Sequence, residues 1–302
     1  MSDHTPFSRG DALRALAVVV IWGLNFVVMK LGLQSISPML LGALRFAAAS
    51  LPFLLFVRPP PLPWHFIAGY GLVQGLGQFG FLFLGLQLGM TAGMASVVMQ
   101  TQAFFTLLLA VPLLGERVRA NQWLGLGVAL VGLLMIASAH GEGPGQMTLA
   151  GFVLTLSAAA MWALSNIVAR RASQIARYEP FPFVVWSSVF PILPFTLIAL
   201  ATDGPASVQQ QLAGMGVGAW FAVLYLALGA TLLAYSLWTR LLQRHAATRV
   251  TPFSLLVPVV GLWAAWAAFG EEPLPLQWLG TVAVLCGLVV NQSAGWWRAR
   301  PR

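Results

Sequence analysis

Charge is scarce in this chain. Only 8% of its 302 residues are Asp, Glu, Lys or Arg, against ~25% in an ordinary soluble domain. A soluble body of this size needs far more polar surface, so that class is excluded. Cysteine is scarcer still: Cys286 is the only one, which rules out an intramolecular disulfide. Its place in an apolar run reads as a small buried hydrophobe. The histidines His4, His65, His140 and His245 are scattered over different loops, so no metal site follows. There is no Ser/His/Asp grouping, HExxH or phosphate loop, which disfavours an enzyme. The opening MSDHTPFSRGD lacks a signal-peptide pattern, and the first apolar run has no clear cleavage site, so it reads as a retained membrane helix. Alternating ~10-residue segments, the mark of a membrane β-barrel, are absent.

Apolar runs fill the space. Hydrophobic residues make up 59% of the chain and the mean hydropathy is +0.82. Runs near 20 residues recur, each long enough to cross a ~30 Å hydrocarbon core as a helix. Breaks at Pro, Gly and charge clusters delimit ten spans, roughly 12–32, 38–57, 64–88, 92–115, 121–139, 148–169, 181–201, 218–239, 250–270 and 276–294. The expected fold is an all-α polytopic membrane protein with ten transmembrane helices.

The net charge of +8 then reads as topology rather than as a nucleic-acid surface, because Lys and Arg gather in cytoplasmic loops. With the N-terminus inside, the inner segments hold Arg9, Arg14, Arg58, Arg117, Arg119, Arg170, Arg171, Arg177, Arg240, Arg244, Arg249, Arg298, Arg300 and Arg302. Only Lys30 and Arg45 fall toward the outer side, where Glu142, Asp203, Glu271 and Glu272 also lie. An N-in, C-in orientation follows.

The chain also repeats itself. Gly115-Glu116, Gln122-Trp-Leu-Gly125 and Gly132 return as Gly270-Glu271, Gln277-Trp-Leu-Gly280 and Gly287, always 155 residues later. Trp22-Gly-Leu-Asn25, ending at Lys30, resembles Trp162-Ala-Leu-Ser-Asn166, ending at Arg170. Five spans per half is odd, so the halves insert in opposite directions. The expected units are a first five-helix repeat at 1–140, a second, inverted one at 148–295 and a basic cytoplasmic tail at 296–302. Inverted repeats are a hallmark of secondary transporters, whose substrate site lies between the halves near the midplane. A duplication without transport is the alternative.

Polar and aromatic residues inside the spans are the candidates for such a site. Trp22 and Asn25 share a helix face. Tyr70, Gln74 and Gln78 recur at four-residue spacing. Gln100 and Gln102 lie ~200° apart on an ideal helix, so at most one faces a cavity squarely. Trp162, Ser165 and Asn166 mark the sixth span, and Trp186, Tyr225, Tyr235 and Trp238 the seventh and eighth. A lone amide serves either a cavity or a helix–helix hydrogen bond. Arg45 lies deep in the second span. It either snorkels outward or faces the interior as a functional charge, where it would hold a carboxylate by a two-pronged ion pair. Lys30 reads as an anchor at the outer interface. Pro258 and Pro252 interrupt the ninth span, and Pro191 and Pro194 the seventh; each frees a carbonyl one turn earlier, making a hinge, a ligand or a static kink. Gly75-Leu-Gly-Gln-Phe-Gly80 matches GxGxxG but has no strand before it, so close helix packing explains it. No carboxylate is expected in the membrane interior, which counts against a buried acidic proton relay.

These features resemble the drug/metabolite transporter superfamily, EamA type: paired five-span halves, each closing a helix with Gly-Glu, and Leu-Arg45-Phe in the second span. Pro258 and Gly270-Glu271 match its ending of the ninth helix; Ala103 stands where proline is common in the first half. VVVIWGLNFVVMK at 18–30, GALRF at 42–46, AGMASVVMQTQAFFT at 92–106 and SLLVPVVGL at 254–262 resemble members that export O-acetylserine and cysteine from bacteria. The resemblance implies export of small amino-acid metabolites across the inner membrane by alternating access. Its implied substrate-binding set is Trp22, Asn25, Arg45, Gln74, Gln78, Gln102, Trp162, Asn166 and Tyr225, with Pro258 as a hinge. Arg45 or helix ends would meet the substrate carboxylate. The ammonium has no buried carboxylate partner, so carbonyls, amides or an aromatic face must serve it. The partners implied are a small amino acid or derivative and the lipid bilayer, with a coupling proton left open, no nucleic acid, no cofactor and no metal. Two other readings stand beside this one: efflux of drugs or other metabolites, and a non-transporting membrane subunit or receptor.

Overall fold

The computed structural model describes residues 8–114, 119–141, 146–245 and 250–296. The first Gly-Glu pair, Arg117, Glu142, Arg249 and the basic tail beyond Trp296 lie outside them. Among the described residues there are only helices. Eight are long and apolar enough to cross a membrane: α1 (Arg9–Gly32), α3 (Trp64–Gln87), α4 (Ala92–Leu113), α5 (Ala120–Ser138), α6 (Leu149–Ile175), α7 (Pro180–Asp203), α8 (Val217–Leu241) and α9 (Pro252–Phe269). Two shorter apolar helices join them, α2 (Pro38–Phe53) and α10, whose apolar part is Pro275–Asn291.

Local chemistry sets the ends. Ser8 and Asp11 form a capping box at the start of α1, which satisfies amide groups no helix can pair internally. Pro38 and Pro180 occupy the first turns of α2 and α7, where a missing N–H costs nothing. The repeated Gln-Trp-Leu-Gly acquires a physical reason. Gln122 Oε1 accepts from Arg119 N at 2.9 Å and Gln277 Oε1 from Leu274 N at 3.0 Å, so each glutamine caps its own helix. The glycine one turn on packs against the other helix. A Cβ on Gly132 would lie 2.6 Å from the carbonyl oxygen of Gly280, and one on Gly125 2.5 Å from that of Gly287. Pairing of 125 with 287 and of 132 with 280 means that α5 and α10 run antiparallel with backbones in contact. Lipid supplies no hydrophobic drive between helices, so close packing of small residues must hold this seam. Cys286, beside the seam residue Gly287, points away from it. It is exposed on the outer face of α10 and is not the buried hydrophobe its apolar run suggests.

α2 ends in a 3₁₀ turn at Leu51–Phe53, and α7 breaks between Ser187 and Ile192, beside Pro191; four other helices depart from regular geometry in matched pairs. Residues Gly71–Phe79 of α3 and Tyr225–Leu233 of α8 form wide π turns. Met99–Thr101 of α4 and Thr251–Leu256 of α9 form tight 3₁₀ turns. Such interruptions inside helices are rare and concentrate at functional sites. The α4 turn forms although Ala103 replaces proline. Thr101 Oγ1 donates to Val98 O at 2.6 Å there, so a hydroxyl two residues before Ala103 takes part in the local bonding; α9 has Pro258 at the position matching Ala103.

Contacts between helix ends fall into two sets. In one, His245 Nε2 lies 3.1 Å from Asp11 Oδ2, Trp186 donates to Val57 O, and Asn121 donates to Val290 O. Arg14, Arg58, Arg119, Arg170, Arg171, Arg177, Arg240 and Arg244 belong to this end. At the other, Lys30 meets Glu271, Ser37 N donates to Gln211, and Gln277 donates to Ala139 O. Asp203 and Glu272 lie there. Asp11 and Glu271 have little exposed surface, and each sits at a helix end, one at each end of the bundle.

Candidate functional site

Between the helices lies a cavity of about 410 Å³, within the ~300–1,000 Å³ typical of small-ligand pockets. Trp22, Asn25, Arg45, Gln78, Gln102, Trp162 and Asn166 line it together, drawn from five helices. It extends along Ala169, Tyr178, Pro180 and Thr239 toward the arginine-rich end. Toward the opposite end its lining reaches Ser96.

Arg45 is the only charged side chain among the described lining residues. It is 1% exposed, which excludes snorkelling. It sits seven residues into α2, about 10 Å along the axis at 1.5 Å per residue, too deep to reach an interface while packed. Its Nε and Nη2 both donate to Thr231 Oγ1, at 3.1 and 2.9 Å. The guanidinium carbon lies 3.7 Å from the centre of the Phe79 ring, a cation–π arrangement. Nη1 has no protein partner. The Thr231 hydroxyl donates in turn to Leu226 O, five residues back, at 2.8 Å. That bond belongs to the π turn and commits the hydroxyl proton, leaving oxygen lone pairs for the arginine. Thr231 has no sequence signal beyond being a hydroxyl in an apolar run, and sequence reasoning missed it. Replacing it with Val removes the acceptor at equal volume. Thr231→Val is expected to raise the transport KM about tenfold, the loss of a hydrogen bond to a charged group, with little change in kcat. Thr231→Ser restores it. An effect on membrane yield alone, with KM unchanged, would make Thr231 merely structural.

Aromatic rings form the adjoining wall. Trp22 donates from Nε1 to Ala230 O at 3.3 Å, in the π turn, and stands edge-on to Tyr235 at 5.2 Å and tilted to Trp238 at 5.4 Å. Opposite, Asn166 Nδ2 donates to Gln102 Oε1 at 2.8 Å. Gln100 Nε2 donates to Ser254 O at 2.6 Å. Ser254 is four residues before Pro258, whose missing N–H cannot bond its carbonyl; Val257 N donates to that carbonyl instead, in the 3₁₀ turn, and Gln100 adds a second bond. Pro258 itself sits in the first turn of the helix that follows the 3₁₀ segment, where it ends one geometry and begins another. Gln100 and Gln102 both line the cavity, contrary to the ideal-helix expectation. The intervening 3₁₀ turn, with three residues per turn, brings positions two apart from ~160° to ~120° of separation.

Two expected residues are not brought to this cavity. Gln74 lines a small neighbouring void and donates to Tyr235 Oη at 2.7 Å. Tyr225 donates to Ile21 O at 2.9 Å and ties α8 to α1. Lys30, expected as an outer-interface anchor, is ion-paired at that end. Its Nζ lies 2.6 Å from Glu271 Oε1 and 5.0 Å from the Phe269 ring centre. Glu271 Oε1 also accepts from Ala92 N at 3.0 Å, and its Oε2 from Gly93 N at 2.9 Å. One buried carboxylate thus joins the end of α1, the start of α4 and the exit of α9. Gly270, left-handed at φ 64°, makes the turn that aims it. Just beneath, Gly23 of α1, Gly261 of α9 and Ser96 of α4 touch, so this end is closed.

The sequence profile of the EamA-like transporter family matches residues 11–138 and again 149–292. A probable amino-acid metabolite efflux pump of Salmonella typhimurium is 43% identical over 94% of this chain and 95% of its own length. Its Escherichia coli K12 namesake is 41% identical over 96% and 97%. A crystal structure 19% identical in sequence aligns with a TM-score of 0.59, over 98% of this chain and all of that one; at that identity it shows the fold alone. The chain belongs to the EamA-like transporter family and is a multi-pass protein of the inner membrane.

Proposed function

We propose that this protein is a secondary exporter of small amino-acid metabolites, O-acetylserine and cysteine among them, working by alternating access. The observation that carries the reading is Arg45: a buried cation, with one nitrogen unpartnered, in a cavity whose described lining offers no carboxylate. Desolvating such a charge is expensive unless a partner arrives, and a substrate carboxylate is that partner. The names of the two efflux-pump relatives favour the same class.

The architecture we propose is ten crossings in two inverted five-helix halves, 1–140 and 148–295, with both termini and the 296–302 tail in the cytoplasm. The antiparallel glycine seam and the paired π and 3₁₀ turns support the duplication. The gathering of arginines at one end supports the orientation, by the positive-inside rule. On that reading the cavity faces the cytoplasm, and the Glu271 cluster closes the outer side. Cells producing the protein are expected to accumulate cysteine and O-acetylserine in the medium. Cells with an equal membrane level of Arg45→Ala are not. Resistance to unrelated drugs with no export of either metabolite would replace this reading with drug efflux.

A further inference from the structure

Three described residues lining the cavity carry a buried polar atom without a protein partner: Arg45 at Nη1, Asn25 at Oδ1 and Gln78 at Oε1. Orphaned buried groups are rare in folded proteins and call for an explanation. Here one orphan is a cationic donor and two are amide oxygens. The other amides of the cavity wall, Gln100, Gln102 and Asn166, already hold protein partners. The uncommitted set therefore asks for a ligand with an anionic acceptor and separate N–H donors.

We propose that the cavity holds a zwitterion in two half-sites, the carboxylate on Arg45 and the ammonium on Asn25 and Gln78 beside the Trp22 ring, and so rejects N-acylated amino acids. This rests on Arg45 as the carboxylate site. Trp22 and Asn25 lie one turn apart on a shared face of α1, and both line the cavity. Gln78 and Phe79, the ring beneath the guanidinium, line the same cavity as Asn25 and Arg45. A carbonyl oxygen and an aromatic face are the two neutral groups that stabilise a desolvated ammonium. Acylating the amine removes its charge and leaves one N–H where three stood. The distinction has a chemical use, since O-acetylserine and N-acetylserine are isomers that differ in that group.

The test is competition against labelled-cysteine counterflow in liposomes, with three unlabelled probes: cysteine, N-acetylcysteine and cysteinamide. In the wild-type protein N-acetylcysteine is expected to compete about tenfold or more weakly than cysteine, the loss of a charge-assisted hydrogen bond. Asn25→Leu should bring cysteine down to the level of N-acetylcysteine, while N-acetylcysteine itself changes less than twofold. Gln78→Leu should act in the same direction and serves if the Asn25 variant does not fold. N-acetylcysteine equal to cysteine, with cysteinamide inactive, overturns the ammonium half-site and leaves the carboxylate reading standing. That result would also follow if the two amides turned their nitrogens onto the carboxylate. Cysteinamide equal to cysteine overturns the carboxylate reading. No saturable cysteine flux by folded protein overturns both.

Discussion

Arg45→Ala is expected to lower saturable cysteine exchange by about two orders of magnitude, because truncating one partner of a buried hydrogen-bonded charge pair costs ~2–5 kcal/mol. The loss should appear chiefly in affinity. In the protein without substrate, Arg45 is held by one hydroxyl and one ring, so its last nitrogen waits for the carboxylate. Arg45→Lys should recover little. A lysine is a point charge on a flexible stem and cannot grip Thr231 with two nitrogens while offering a third outward. The alanine variant loses a buried charge that has no acidic partner, so it should remain folded. Membrane yield and thermal stability in detergent check this. Full transport by a folded Arg45→Ala protein would remove the arginine from the site.

Glu271→Ala is expected to open the outer end. The substitution leaves Lys30 without its carboxylate and two amide groups at the start of α4 without acceptors. Breaking a buried pair in this way costs ~3–5 kcal/mol, enough to invert a balance between inward- and outward-facing states. The readout is external labelling by a membrane-impermeant maleimide at Ser96→Cys, in a Cys286→Ser background. Ser96 lines the cavity close to the outer seal. Labelling should rise at least tenfold with Glu271→Ala, and exchange should slow because the outward state is overpopulated. Lys30→Ala should move labelling in the same direction by less, since the two amide bonds to Glu271 survive. Unchanged labelling in both variants would mean that the cluster is a static brace.

Much of this was legible in sequence, for reasons that can be named. Apolar runs and proline breaks located the helices because the bilayer fixes their length. The Gln-Trp-Leu-Gly repeat was visible because capping and backbone contact each tolerate few residues. Trp22, Asn25 and Arg45 stood out because polar groups in lipid are costly and therefore placed for a reason. The misplaced amides and Tyr225 share one cause. Face assignments assumed 3.6 residues per turn, and the π turns of α3 and α8 and the 3₁₀ turn of α4 break that period. Gln74 and Tyr225 turn aside into helix–helix bonds there, while Gln100 and Gln102 converge. Lys30 and Glu271 were unreadable for a different reason: their pairing spans 241 positions, and nothing local in either segment announces it.

The measurement that bears most directly on the central claim is counterflow. Liposomes carrying the purified protein and preloaded with cysteine are diluted into labelled cysteine. We expect a transient, saturable uptake that O-acetylserine suppresses and Arg45→Ala abolishes. Uptake identical in the wild-type and Arg45→Ala proteins, or none by folded wild-type protein, would contradict the account.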